Sequence, residues 1–345
     1  LIIAGWDVGC FTLAAPYTSF PTSSQNGCGS PTAGNLDHGY AVDWDANTPA
    51  NLVSLSDNQQ GYGGGTYAGF SAPSTNGGST WGSKFSVPSA ITTGGFKGGC
   101  MSSAPGGNIM WAPTDGSSGA VAPFFSSNSG SSWTQISISG VTAGWPLTFS
   151  FSNHICAADR VTANTFYFYN TNIGSGSDAI IKCTGTSCAI QSSPGLGANR
   201  QFNPTIKAVP GNAGYLFLAY GTIDPPEDTA GNGFYFYTDG GVTKNTIANV
   251  TGVSAFGFGA AFPGHTFPAI YFAGWFNHVY GLWRSIDWDG AQTWQQVGIY
   301  PLNIPLGVWD IDGAKGSGNY GVFYVGTLSG VFCGSLSTSQ CNGGT

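Results

Sequence analysis

The sequence carries little charge. Of its 345 residues only nine are Lys or Arg and sixteen Asp or Glu, 7% in all, against roughly 25% in an ordinary soluble protein. The nine cations are scattered and form no basic stripe, which argues against a nucleic-acid partner. Glutamate is almost missing, with Glu227 standing alone among the acids. Long apolar runs are missing too: no stretch reaches the ~18 residues of a membrane-spanning helix. Helix-period patterning is absent over any useful length. No C-x-x-C pair occurs, and His38, His154, His265 and His278 are dispersed, so neither a zinc site nor a Ser-His-Asp triad has a signature.

What is present is aromatic and turn-forming. Low charge alone would suit a disordered chain, but such chains lack aromatics; here Phe, Trp and Tyr make up 14% and hydrophobic residues 41%. The 55 Gly and 19 Pro then read as turn residues between many short strands. The excess of Asp over Glu fits the same picture, since the shorter carboxylate caps backbone N–H groups in turns. Eight cysteines read as disulfides and hence as an oxidising, extracellular setting. Cys183 and Cys188 flank a four-residue turn and Cys333 and Cys341 bracket a short loop; the other four can pair in three ways, of which Cys10–Cys28 with Cys100–Cys156 is the one expected. The chain begins at Leu1 without Met, and removal of an export signal is expected. One N-glycosylation sequon occurs, Asn249-Val250-Thr251.

A pattern Ser-x-Asp/Asn-x-Gly-x-Ser/Thr-Trp recurs along the chain. It runs Ser74 to Trp81 and Ser126 to Trp133, and returns stretched by two residues from Ser285 to Trp294. A fourth copy, Tyr237 to Thr243, has lost its Trp, and the Cys183–Cys188 turn stands where a fifth would fall. The logic is that of a hairpin turn: the carboxylate or amide accepts backbone N–H bonds, Gly supplies positive φ, and the Trp opens the next strand. Spacing near 50 residues fits a four-stranded propeller blade. The expectation is a seven-bladed all-β propeller with degenerate Asp-box repeats. It forms a single domain over 1–345, closed by pairing Leu1–Trp6 with Gly321–Thr327 and Gly330–Cys333.

In their order and flanks these turns resemble glycoside hydrolase family 74, the xyloglucanases and related β-1,4-glucanases. The opening Leu1-Ile-Ile-Ala-Gly-Trp-Asp-Val-Gly-Cys-Phe11 is similar to the family's Gly-Asp-x-Gly-Gly-Phe segment, with Cys10 in place of a Gly. Further similar segments follow in order: Asp43-Trp44 with Asn47-Thr48-Pro49, Ala208-Val-Pro-Gly211, Phe256-Gly-Phe-Gly259, Pro268-Ala-Ile-Tyr271, and Tyr320 to Thr327 with Gly330. The family's enzymes face two seven-bladed propellers across a cleft, and this chain resembles the second over nearly its whole length. The resemblance implies that Asp7 is the general acid and that its partner carboxylate lies on the other propeller. A second propeller chain or self-association is the partner it suggests, and a β-1,4-glucan such as xyloglucan the substrate.

Inverting glycoside hydrolysis needs two carboxylates about 6.5–9.5 Å apart. Trp6, Val8 and Phe11 could desolvate Asp7 and raise its pKa. Within this chain Asp37, beside His38, and Asp224, Glu227 and Asp228, on a polar insertion, are candidates for the base. Asp43, Asp239, Asp287 and Asp289 read as turn residues, and Asp310 and Asp312 as structural residues of a strand. Trp6, Trp145, Trp275 and Trp309 lie outside the repeated turns and are candidates to stack on sugar rings. No cofactor is expected. Structural Ca²⁺ would suit the many Asp and carbonyl groups, but no loop follows an EF-hand pattern. A sialidase is disfavoured, because Arg160, Arg200 and Arg284 are the only arginines and a substrate carboxylate needs a cluster of them. The alternatives to a secreted hydrolase are a non-catalytic carbohydrate-binding propeller and a structural subunit of an extracellular assembly.

Overall fold

The computed structural model describes residues 1–5, 9–12, 38–57, 69–82, 85, 88, 96–115, 122–139, 141, 154–170, 177–196, 204–219, 233–288, 290–299, 307–327, 330–336 and 341. Apart from one 3-10 turn at Ser317–Asn319, every element among them is a strand. β1 (Ile2–Gly5) and β2 (Gly9–Thr12) form a two-stranded ribbon. β3 (His38–Trp44), β4 (Leu52–Asp57) and β5 (Gly69–Ser74) form a three-stranded sheet. Four four-stranded sheets follow. The first is β6 (Phe96–Ala104), β7 (Asn108–Asp115), β8 (Phe124–Ser126) and β9 (Thr134–Gln135). The next is β10 (Cys156–Ala158), β11 (Thr165–Asn170), β12 (Ala179–Thr184) and β13 (Ser187–Ser192), then β14 (Thr205–Ala208), β15 (Leu216–Ala219), β16 (Phe234–Tyr237) and β17 (Asn245–Thr246). The last is β18 (Val250–Gly259), β19 (Ala269–Phe276), β20 (Val279–Ser285) and β21 (Gln295–Ile299). A three-stranded sheet of β22 (Val308–Gly313), β23 (Phe323–Thr327) and β24 (Gly330–Gly334) ends the chain.

Apart from the β1–β2 ribbon, each sheet is an antiparallel meander in chain order, which is the blade of a β-propeller. Among the described residues the blades number six, not seven. A spacing near 50 residues divides 345 into seven, but the chain before β3 contributes only the ribbon β1–β2 to the described strands. The expected closing pair is likewise not among the described pairings: β1 is hydrogen-bonded to β2, and the last sheet runs β22-β23-β24.

The first strands of the blades contact one another around the ring. Ser103 N–H donates to Asp43 at 2.8 Å, linking β6 to β3, and Ile206 N–H donates to the His154 carbonyl at 2.7 Å, linking β14 to the start of β10. Phe258 N–H donates to Asp312 at 3.1 Å and ties β18 to β22. Between the blades, sheet faces pack on one another, so middle strands are buried on both sides. β11, Thr-Phe-Tyr-Phe-Tyr-Asn, is buried at all six positions. Phe217 and Phe234 of one blade meet Phe256 of the next at ring-centroid distances of 6.4 and 4.9 Å.

The first two copies of the repeated turn share one hydrogen-bond set. In the first, Gly78 N–H donates to Ser74 Oγ at 3.0 Å and Thr80 N–H to Asn76 Oδ1 at 2.9 Å. In the second, Gly130 and Ser132 donate to Ser126 and Asn128 at 2.8 and 2.9 Å. In the stretched copy Thr293 donates twice to Asp287, from N–H at 2.8 Å and from its hydroxyl at 2.9 Å. Its two extra residues seat Trp288 against Phe217 and Phe236 of the preceding blade, each at 5.0 Å. The Trp that ends the second copy, Trp133, packs on Trp111 at 5.6 Å. Gly130 has φ +84 and a Cβ there would fall 2.1 Å from Phe85, so this turn needs glycine both for conformation and for approach.

Disulfides join Cys100 to Cys156, Cys183 to Cys188 and Cys333 to Cys341, as expected. The first ties the innermost strands of neighbouring blades, and the second closes the β12–β13 hairpin. Cys28 lies outside the described residues. Among the described residues no helix is long and apolar enough to cross a membrane.

Candidate functional site

Charge in this chain is scarce, yet it gathers on the axis of the ring. Lys207, on β14, reaches across to β22, where its ammonium donates to Asp310 at 2.9 Å and to the Ile311 carbonyl at 3.3 Å. Two residues along the same strand, Asp312 accepts from Lys315 at 2.8 Å, and Lys315 also donates to the Phe258 carbonyl of β18. Arg160, just past β10, donates to Asp43 of β3 at 2.7 Å and to the Trp44 carbonyl at 2.9 Å. Its guanidinium also stacks 5.0 Å from the Trp44 ring centre. His154 sits where Asp310, Lys207, Asp312 and Asp43 all act on it. Strand alternation explains part of this: Asp310 and Asp312 are two apart and share one face of β22.

The electrostatics follow from enclosure and pairing. Burial by itself would raise the Asp310 carboxyl. The Lys207 ammonium outweighs it, with help from His154 and the Ile311 N–H, and holds the group below the usual carboxylate range. Burial would likewise lower Lys207, but Asp310 and Asp312 raise it above its usual value. Lys315 goes the other way, because burial outweighs its one close carboxylate, Asp312. Burial also pushes the His154 imidazole down, partly opposed by Asp310, so it is neutral at neutral pH. The Asp310 side chain nevertheless keeps 48% of its surface accessible, so the Lys207–Asp310 pair is partly exposed. Chemically, an Asp held ionised by a lysine is a poor general acid. This cluster suits the joining of blades across the ring rather than proton donation to a leaving group.

Two capping aspartates serve neighbouring blades in the same way. Asp45 accepts Asn47 N–H at 2.8 Å inside its own turn and Gly106 N–H of the next blade at 3.1 Å. Asp159 accepts Val161 N–H at 2.9 Å and Gly214 N–H of the next blade at 2.8 Å. Asp239 caps its turn as read from the sequence: Thr243 and Val242 N–H groups outweigh burial and lower its pKa. Asp43, read from the sequence as a turn residue, instead stands within β3 as the anchor for Arg160.

The carboxylates proposed for catalysis, Asp7, Asp37, Asp224, Glu227 and Asp228, all lie outside the described residues, as do Trp6 and Trp145. The strands flanking several of them are described. Asp37 directly precedes β3. The insertion with Asp224, Glu227 and Asp228 joins Ala219 to Phe234, which pair with each other level with Thr205, the first residue of β14. Asp7 and Trp6 fall between Gly5 and Gly9, the last pair of the β1–β2 ribbon. Trp275 and Trp309 are described and half-buried. Trp275 pairs with Gly252 near the start of β18, and Trp309 is the second residue of β22, so both stand at the end of the ring where the innermost strands begin. Trp275 is braced edge-on by Tyr280 at 5.3 Å, and the Tyr280 hydroxyl is 2.7 Å from that of Ser254. Among the described residues no group of three metal-ligating side chains forms.

Sequence reasoning missed the axial cluster, treating His154 as one of several dispersed histidines. One signal was available: in a chain with nine cations, Arg160 and Lys207 sit in or beside short strands, where a buried charge needs a partner.

No family model matches the sequence. A xyloglucanase of a Paenibacillus species is 27% identical over 224 residues, 65% of this chain and 19% of that protein. Xyloglucanase Xgh74A of Acetivibrio thermocellus is 29% identical over 225 residues, again 65% of this chain and 22% of its own length. The chain thus spans about a fifth of the length of these curated relatives. Among solved structures, the Niastella koreensis GH74 enzyme superposes with a TM-score of 0.66 and 23% identity, covering 98% of this chain and 42% of that one. The GH74 xyloglucanase of Xanthomonas campestris gives a TM-score of 0.62 and 20% identity, covering 97% and 41%. Over about two thirds of its length this chain is thus similar in sequence to xyloglucanases, and its fold is similar to that of part of the GH74 enzymes.

Proposed function

We propose that this chain is a secreted glycoside hydrolase of the xyloglucanase type, or the propeller part of one, that cleaves a β-1,4-glucan-type polysaccharide by acid/base hydrolysis. The observation that carries the reading is the sequence similarity to two xyloglucanases over 65% of the chain. Asp7 is the general acid in this reading. The base comes from Asp37, from Asp224, Glu227 or Asp228, or from a second propeller. The repeated turns are degenerate Asp boxes, which hold the blades and leave catalysis to the loops at one end. Trp275 and Trp309 supply stacking surface for sugar rings there, with Trp6 and Trp145.

The test is release of reducing ends from xyloglucan, mixed-linkage glucan and cellulose across acidic pH, comparing the wild type with Asp7→Asn. Removing a general acid lowers turnover by roughly 10²–10⁴-fold, so the variant should be nearly inactive on whichever glucan the wild type cleaves. Equal activity of the two proteins would remove Asp7 from the mechanism. A wild type inert on every glucan, but retained on a xyloglucan affinity gel, would leave the binding propeller instead.

A further inference from the structure

The sequon Asn249-Val250-Thr251 is not used by the reading above. Asn249 is exposed and occupies the turn between β17 and β18 with φ +62, which projects it from the sheet. Its carbonyl accepts the Asn277 N–H at 3.0 Å, so the turn is anchored through its backbone and not through the Asn side chain. Thr251, two residues on, is different. Its hydroxyl is buried and has no hydrogen-bond partner among the described residues. A buried hydroxyl without a partner costs its desolvation and returns nothing, and Val would fill the same space in a strand. The fold therefore does not account for a Thr here, whereas recognition of the unfolded chain as Asn-x-Thr does.

We infer that Asn249 is an acceptor for an N-linked oligosaccharide, added as the chain enters an oxidising secretory compartment. The donor is a polyisoprenyl-diphosphate oligosaccharide. The Asn249 amide nitrogen forms a bond to the anomeric carbon of its first N-acetylglucosamine, the bond from that carbon to the lipid diphosphate breaks, and the amide loses one proton as the diphosphate departs. The three disulfides fit passage through such a compartment. The glycan would stand beside the β19–β20 turn at Asn277 and His278, at the end of the ring that carries Trp275.

The experiment is secretion of the full chain from yeast or insect cells, with intact-mass and glycopeptide analysis before and after peptide-N-glycanase. The expected result is one N-glycan on Asn249, converted to Asp by the glycanase, absent from Asn249→Gln and from Thr251→Val and retained in Thr251→Ser. Because the Thr251 hydroxyl has no partner, Thr251→Val should be secreted at the wild-type level or better. Translation in vitro with microsomes supplies the same mass readout if any variant is not secreted. An unmodified Asn249 in both systems, with a control glycoprotein processed normally, overturns the inference. Neither result bears on hydrolysis.

Discussion

Arg160 offers the sharpest test of how the ring is held. Its guanidinium joins three blades through Asp43 and the Trp44 carbonyl on β3, the Ser103 carbonyl on β6, and its own position after β10. The side chains of Arg160 and Asp43 are only 13% and 10% accessible. Arg160→Met keeps the length of the stem and its contact with the Trp44 ring but removes the cation. Asp43 then keeps only the Ser103 N–H as a named donor, and its charge is left nearly buried. Removing one partner of a buried pair costs about 3–5 kcal/mol, and residual access to water points to the lower end, about 3 kcal/mol. With an unfolding entropy of about 2.1 cal/mol/K per residue, a chain of 345 residues loses roughly 4 °C in Tm for that penalty. Calorimetry with the disulfides oxidised reads it directly. The double variant Asp43→Asn/Arg160→Met removes both charges while an amide oxygen still accepts from Ser103, so it should recover to within about 1 kcal/mol of the wild type. A single variant melting within about 1 °C of the wild type would refute the argument, as would a double variant less stable than the single.

Three further outcomes follow from the same structure. Burial lowers the His154 pKa, so the unfolded chain takes up the proton first; stability should be full above about pH 6.5 and fall as pH drops toward the folded value. Urea midpoints at pH 7.5 and 5 should show a smaller decline for His154→Gln than for the wild type, and equal declines would remove His154 from the acid response. Gly130→Ala should cost more than about 2 kcal/mol, from positive φ and collision with Phe85, whereas Gly77→Ala, with φ +68 and open space, should cost about 1 kcal/mol; equal costs would show that the approach to Phe85 does not matter. Replacing Cys100 and Cys156 by Ser should cost about 4 kcal/mol by chain entropy for a separation of 56, against about 2 kcal/mol for Cys183 and Cys188 at a separation of 5; denaturant midpoints of the two double variants should keep that order.

Local features were legible without coordinates. The copies at Ser74 and Ser126 fold into turns with the same bonds because every donor and acceptor lies within four residues. The strand at Thr165 to Tyr169 and the hairpin closed by Cys183 and Cys188 are equally local. Trp288 was not legible, since only the neighbouring blade explains why a turn should carry a buried indole. The candidate site was legible only as residue types. Asp7, Asp37, Asp224, Glu227 and Asp228 rest on chemistry and on resemblance, while the pairing of Lys207 with Asp310 and of Arg160 with Asp43 was not legible, the partners being 103 and 117 residues apart.

The amino-acid sequence by itself determined an all-β chain of short strands, tight turns and disulfides, because periodicity, glycine placement and cysteine spacing act over a few residues. Tertiary structure alone decided the number of blades, the seating of Gly130 in the β8–β9 turn on Phe85, which precedes β6, and the gathering of scarce charges on the axis. Those depend on which sheet faces meet when the ring forms, and on the need of each enclosed charge for an opposite one, wherever along the chain it lies.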